Sequence, residues 1–248
     1  IGVLTDLEVT EARELQQQIA QWLNVKDTDV QWQLWSRDEL PAPERLQAAL
    51  QDQPLDLVVT YRHLGTTAKD LPYSLGVYAD TLTQIHTSPV LLLPYAWRQS
   101  APSPIQRVMA MTDHLAEEHR LIDYGVALTP AEGSLFLAHI EPLKVFKRYI
   151  RTISKIPELN TEVAETKIAN QLLKEPREFI AACVQALSDT SIHLEPVVTF
   201  GQTLQTHREL IHKHDIDLLV LNTKDEEQLA MQGEAYALAV ELTQLPLL

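Results

Sequence analysis

Two stretches decide the fold: Ile216 to Leu248, IDLLVLNTKDEEQLAMQGEAYALAVELTQLPLL, and Leu55 to Leu93, LDLVVTYRHLGTTAKDLPYSLGVYADTLTQIHTSPVLLL. Each reads as a buried apolar strand, a polar loop, a helix rich in Ala and Leu, and a second apolar strand. Asp56, Leu57 and Val58 match Asp217, Leu218 and Leu219, while Gly76 matches Gly233 and Pro89 matches Pro246. The glycine and the proline are equally far apart in both copies, so the helices between them have one length. Strand, crossover helix and strand form one unit of a parallel sheet, because parallel strands need a crossover long enough to return the chain. The repeat therefore sets the domain count at two.

Working outward, each copy has a partner strand upstream. Ile1 to Leu4 is apolar and ends in Thr5 and Asp6; Val108 to Met111 is apolar and ends in Thr112 and Asp113. Helices follow from about Glu11 to Leu23, with Ala12, Leu15, Ile19 and Leu23 on one stripe, and from about Ala116 to Ala127. Val30 to Trp35 and Ser134 to Ile140 are the next strands. The second copy then carries a long helical segment, Glu141 to Asp189, with a polar break near Ile156 to Thr161, and a further strand, Ile192 to Phe200. Only the short helix Glu44 to Leu50 stands in that place in the first copy, which is shortened by about one strand and its crossover. Residues 95–104, inside the proline-bearing run PYAWRQSAPSPI, read as a linker between a shortened domain, 1–94, and a full one, 105–248. Strands that are apolar throughout, alternating with helices, predict two tandem Rossmann-like, doubly wound α/β domains with mostly parallel sheets.

Composition narrows the function. At 248 residues, 45% hydrophobic and 22% charged, the chain suits two modest globular domains. A net charge of −14 opposes an electrostatic grip on nucleic acid or on an anionic membrane. No run of eighteen apolar residues exists, so no membrane span is expected. The sequence opens on Ile1 with no basic, apolar leader, so the start reads as trimmed. The single Cys183 cannot form an internal disulfide, which suits a reducing compartment, and a cytoplasmic location is the expectation. Cys183 lies in the apolar run FIAACVQAL and reads as a core thiol.

Both copies resemble universal stress protein domains. The resemblance rests on Thr5 with Asp6 and Thr112 with Asp113 closing the first strands, on Gly201 ahead of a helix, on Asp217 to Val220, on the Gly233 helix and on the closing strand at Pro246. It implies a five-stranded Rossmann-like fold for each unit, a tandem arrangement that mimics a dimer, and a role in the stress response. Val90 to Leu93 and Pro246 to Leu248 are apolar strands expected at sheet edges. Pairing one with the other would hide two aggregation-prone edges, and a homodimer would be compatible with it.

Family members that bind ATP carry a glycine-rich loop after the penultimate strand, with a glycine, two residues, a glycine, nine residues, then glycine and a hydroxyl residue. Such a loop offers free amides to phosphate. In the second unit Thr223 stands where the second glycine belongs and Glu234 where the hydroxyl belongs, and Asp225, Glu226 and Glu227 add repulsion. In the first, Gly65, Thr66 and Thr67 make a small turn near Arg62, His63 and Lys69, and Gly76 is kept, but Val77 replaces the hydroxyl residue. If a nucleotide binds, the residues to hold it are Asp6, Gly65, Thr66, Gly76, Asp113, Asn222, Thr223 and Gly233. No cofactor is expected in the second unit, and an adenine nucleotide such as ATP remains the alternative in the first.

No Walker loop, nucleophile elbow or paired cysteine motif is present. His207, His212 and His214 near a helix end, and His114, Glu118 and His119 near Asp113, read as solvated or dipole-serving groups rather than as metal or acid–base sites. Lys144, Lys147, Arg148, Arg151 and Lys155 form a local basic patch interleaved with Phe146, Tyr149, Ile150, Ile153 and Ile156; it could take an anionic partner, although lysine stems covering an apolar helix are the commoner explanation. The expectation is a regulatory or protective protein that acts through protein contacts and is not an enzyme.

Overall fold

The computed structural model describes residues 1–26, 29–52, 55–66, 73–85, 88–98, 103–112, 119–222 and 233–248. It divides into two compact units, one comprising Ile1–Ile105, Asp217–Leu219 and Thr223–Leu248, the other Gln106–Ile216 and Val220–Asn222.

The first sheet runs β2-β1-β3-β4, where β1 is Gly2–Leu4, β2 Gln33–Trp35, β3 Val58–Tyr61 and β4 Val90–Leu93. All three pairings are parallel. Crossovers are supplied by α1 (Val9–Trp22), α2 (Pro43–Asp52) and α3 (Val77–Ile85). Helix α1 buries Ala12, Leu15 and Ile19 of the stripe its sequence spaces at helical intervals, together with Ala20 and Trp22, while Leu23 caps the helix and is only half-buried. Val3, Leu4, Val58, Val59, Leu91 and Leu93 are almost wholly buried, as strands covered on both faces require.

The second sheet runs β7-β6-β5-β8, where β5 is Arg107–Thr112, β6 Ser134–Pro142, β7 His193–Gly201 and β8 Leu218–Leu221. Its helices are α4 (His119–Leu128), α5 (Leu143–Ile153), α6 (Thr161–Ala186) and α7 (Thr203–Lys213). The β6–β7 pair is parallel over nine positions, from Ser134 opposite His193 to Pro142 opposite Gly201. No strand occupies the corresponding place beside β2 among the described residues of the first unit, so the shortening read from the chain is a missing edge strand. The break expected near Ile156 to Thr161 is the turn between α5 and α6, where the Asn160 side chain accepts from the Val163 amide at 3.0 Å.

The last helix, α8 (Gly233–Glu241), and the closing residues fall in the first unit. Leu247 forms an antiparallel bridge with Leu92 and a parallel one with Leu219. The Leu92 amide donates to Leu247 at 2.7 Å and the Leu247 amide returns the bond at 3.1 Å. The apolar edge of β4 is thereby covered at Leu92 by the end of the chain. Among the described residues of the proline-bearing run after β4, Tyr95–Arg98 forms a 3-10 turn whose Trp97 meets Trp22 edge to face at 4.8 Å, and the Trp22 indole donates to the Ser103 carbonyl.

Candidate functional site

In a doubly wound sheet the ligand crevice opens beyond the carboxyl ends of the strands where the winding reverses, which in the first unit is between β1 and β3. Thr5 and Asp6 leave β1 there, and Tyr61 to Thr66 leave β3. The Tyr61 hydroxyl donates to the Asp6 carboxylate, accepts from the Asp6 amide at 3.0 Å, and lies 2.9 Å from the Thr5 hydroxyl. The Gly65 amide donates to the other Asp6 carboxylate oxygen at 3.2 Å. On the remaining side the Arg98 guanidinium pairs with Asp6 at 3.0 Å, donates to the Tyr95 hydroxyl and lies over the rings of Tyr61 and Tyr95, at 5.3 and 4.9 Å from their centroids. Burial, with the Asp6 carboxylate beside it, pushes the Tyr61 phenol well up, so it remains a proton donor to Asp6. Three donors from two segments, the end of β3 with its turn and the 3-10 turn after β4, thus converge on one carboxylate.

The turn after β3 owes its shape to two residues in left-handed backbone, His63 at φ 59° and Gly65 at φ 72°. Thr66 spends both its amide and its hydroxyl on the His63 carbonyl, at 3.0 and 3.4 Å. Gly76, at φ 94°, lets the entry to α3 lie against this turn, since a Cβ there would stand 2.7 Å from the His63 Cα. Asp6 and Gly65 are therefore in direct contact, and Thr66 and Gly76 belong to the same turn and its support.

Arg62 does not face the crevice. It is 1% exposed, and its guanidinium donates to the Ala239 carbonyl at 3.3 and 2.9 Å and to the Leu242 carbonyl at 2.9 Å, at the carboxyl end of α8. Burial lowers its pKa to about 10, and the helix carbonyls and dipole offset part of that cost. His63, beside it, is buried with Nδ1 unpartnered, and burial together with Arg62 lowers its pKa while Asp80 raises it. Asp80 in turn is raised by burial and accepts from Tyr236 of α8. Arg62, which the sequence places three residues before Gly65, thus holds α8 rather than awaiting phosphate.

In the second unit Asn222 follows β8, the neighbour of β5. Asp113 and Thr223 lie outside the described residues, as do Lys69, His114, Glu118 and the acidic run Asp225 to Glu227. Gly233 opens α8 with nothing within 4 Å of where a Cβ would stand, unlike its repeat counterpart Gly76. Buried His139 stands opposite Thr112 in the register, with Nε2 3.4 Å from Glu141. His207 is buried, His214 packs on the Phe136 ring at 4.7 Å, and no group of three metal-ligating side chains occurs among the described residues. Cys183 is partly exposed rather than a core thiol, and burial pushes its pKa up, away from a nucleophile's.

Tyr61 and Arg98 are the site residues that pattern reading passes over. The signal for Tyr61 was a phenol at a strand end where the second copy has Asn222; Arg98 sat in a run without period.

No family model and no curated protein matches the chain. Two solved structures align with nearly all of it. A protein of unknown function from Pseudomonas aeruginosa PAO1 covers 99% of this chain and 90% of its own at TM-score 0.55 and 14% identity. A universal stress protein candidate from Pseudomonas aeruginosa UCBPP-PA14 covers 99% and 80% at TM-score 0.53, again at 14% identity. The likeness is one of fold: the chain has a universal stress protein-like α/β architecture built on two four-stranded parallel sheets. No helix among the described residues is long and apolar enough to cross a membrane.

Proposed function

We propose that the chain is a tandem universal stress protein-like regulatory or protective protein that works through protein contacts, is not an enzyme, and takes no nucleotide in its second unit. A cytoplasmic location belongs to the same reading. The observation that supports it, and extends it to the first unit, is the Asp6 cluster: the carboxylate at the mouth of the first crevice is already bound by Tyr61, Gly65 and Arg98. An entering ligand would have to break these charge-assisted bonds and leave a half-buried carboxylate facing its phosphates.

A second reading, an adenine-nucleotide sensor in the first unit, draws on one observation. The Gly65 amide already binds an anionic oxygen beside Arg98, and a phosphate could replace the Asp6 carboxylate there. Heat-denaturing the purified protein and reading adenine absorbance separates the two. The proposed reading expects none and no thermal shift with ATP. A ligand at a hundred times its Kd contributes about 2.7 kcal/mol, hence a rise of roughly 5–10 °C, which would select the sensor.

A further inference from the structure

Five of the chain's 20 basic residues fall within 144–155, a segment holding no Asp or Glu, in a protein of net charge −14. On α5, Lys144, Lys147, Arg148 and Arg151 lie within about 100° of one another around the helix axis, and Lys155 follows in the turn beyond. All five are exposed, and none joins an ion pair among the described residues, the carboxylates of the following turn and α6 included. The opposite face is spent on packing, where buried Phe146 lies 4.8 Å from the Phe200 ring. Tyr149 on α5, whose ring lies 5.9 Å from the Arg148 guanidinium, Ile156 and Leu159 in the turn after α5, and Val163 at the start of α6 are each 41–49% exposed. Large apolar side chains left in water along the same short segment as unpaired cations are what a site of protein contact exposes.

We propose that the basic face of α5 and the turn after it form a docking surface for an acidic protein segment bearing apolar side chains. This gives the protein-contact reading a partner chemistry and rests on it. Charge complementarity supplies the attraction, and Ile156 and Leu159 supply apolar area that charge alone lacks. The size of the surface favours a short segment. Lys144 to Lys155 spans about 17 Å at a helical rise, the length of roughly five or six extended residues. A membrane or a nucleic acid would extend past that stripe and meet the acidic remainder of the chain, whereas a short segment would not.

The test uses the full chain and a fluorescent peptide that alternates glutamate with leucine and phenylalanine, followed by anisotropy at about 50 and about 200 mM salt. Binding at least tenfold tighter than that of the glutamine analogue is expected, weakening as salt rises. The combined Lys144→Glu, Arg148→Glu and Arg151→Glu variant should lose that tenfold and the salt dependence; the Ile156→Ser and Leu159→Ser variant should weaken binding while keeping the salt dependence. Should the charge variant not fold, the apolar variant and the salt series on the unaltered chain decide. Equal binding of the glutamine analogue, unchanged binding by the variants, or tighter binding of phosphatidylserine vesicles or duplex DNA than of the peptide would overturn the proposal. Self-association abolished by the charge variant would assign the surface to a second copy and overturn it too. Absent peptide binding contradicts this surface and not the protein-contact reading; bound nucleotide contradicts that reading and not this surface.

Discussion

The Arg98 guanidinium lies 3.0 Å from the Asp6 carboxylate, joining a 3-10 turn after the last strand of the first sheet to the end of its first strand. Both side chains are mostly buried, and the Tyr61 and Tyr95 rings under the guanidinium restrict its access to water. Replacing Arg98 by Ala should cost about 1–2 kcal/mol, more than an open surface pair, because a cation–π contact goes with the ion pair. Tyr61→Phe should cost a similar ~1–2 kcal/mol through lost hydrogen bonds to Asp6. The two share one acceptor, so in chemical denaturation the double variant should depart from the sum of the singles.

The two glycines matched by the repeat should respond differently to alanine. Gly76→Ala sets a methyl against the His63 backbone in a left-handed conformation and should destabilise by about 2–3 kcal/mol, read as a lower melting temperature. Gly233→Ala enters open space at the start of a helix and should be neutral or stabilising by up to about 1 kcal/mol.

Arg62 holds the carboxyl end of α8 from within the first unit. Arg62→Met keeps much of the volume but strips the Ala239 and Leu242 carbonyls of their donor, with an expected loss of about 2–4 kcal/mol. Amide exchange in α8, whose last carbonyls Arg62 binds, should accelerate more than in α1.

His63 should make stability fall on the acid side. Its folded pKa lies below the usual value of about 6.5, so the unfolded chain takes up a proton first as pH drops through that value. Stability is fully present above it and is lost toward the lowered folded value. Asp80 works the other way, because its raised pKa makes the folded state gain protons first, but in a lower window near the carboxylate range. Denaturation midpoints from pH 7 to 5 should therefore decline, and His63→Asn, which tolerates the positive φ, should flatten that decline.

Much of this architecture is legible in the chain because it rests on local regularities. Gly76 with Pro89 and Gly233 with Pro246 fix two crossover helices of equal length, and the single short helix between β2 and β3 reveals the missing edge strand. The crevice is less legible because its contents come from residues distant in sequence. Arg98 sits in a run with no period, and only packing of Trp97 on Trp22 brings its guanidinium to Asp6. Arg62 beside Gly65 has the composition of a phosphate site, yet its side chain turns to α8, a partner about 180 residues on. Local spacing could place the Asp6–Gly65 turn but not what fills it.

The central claim is that the first crevice is filled by the protein's own side chains. Isothermal titration of the purified chain with magnesium ATP tests it most directly. No binding heat is expected, either with the unaltered chain or with Tyr61→Phe, whose Asp6 keeps Gly65 and Arg98. Saturable binding near one nucleotide per chain, abolished by Arg98→Ala, would contradict it.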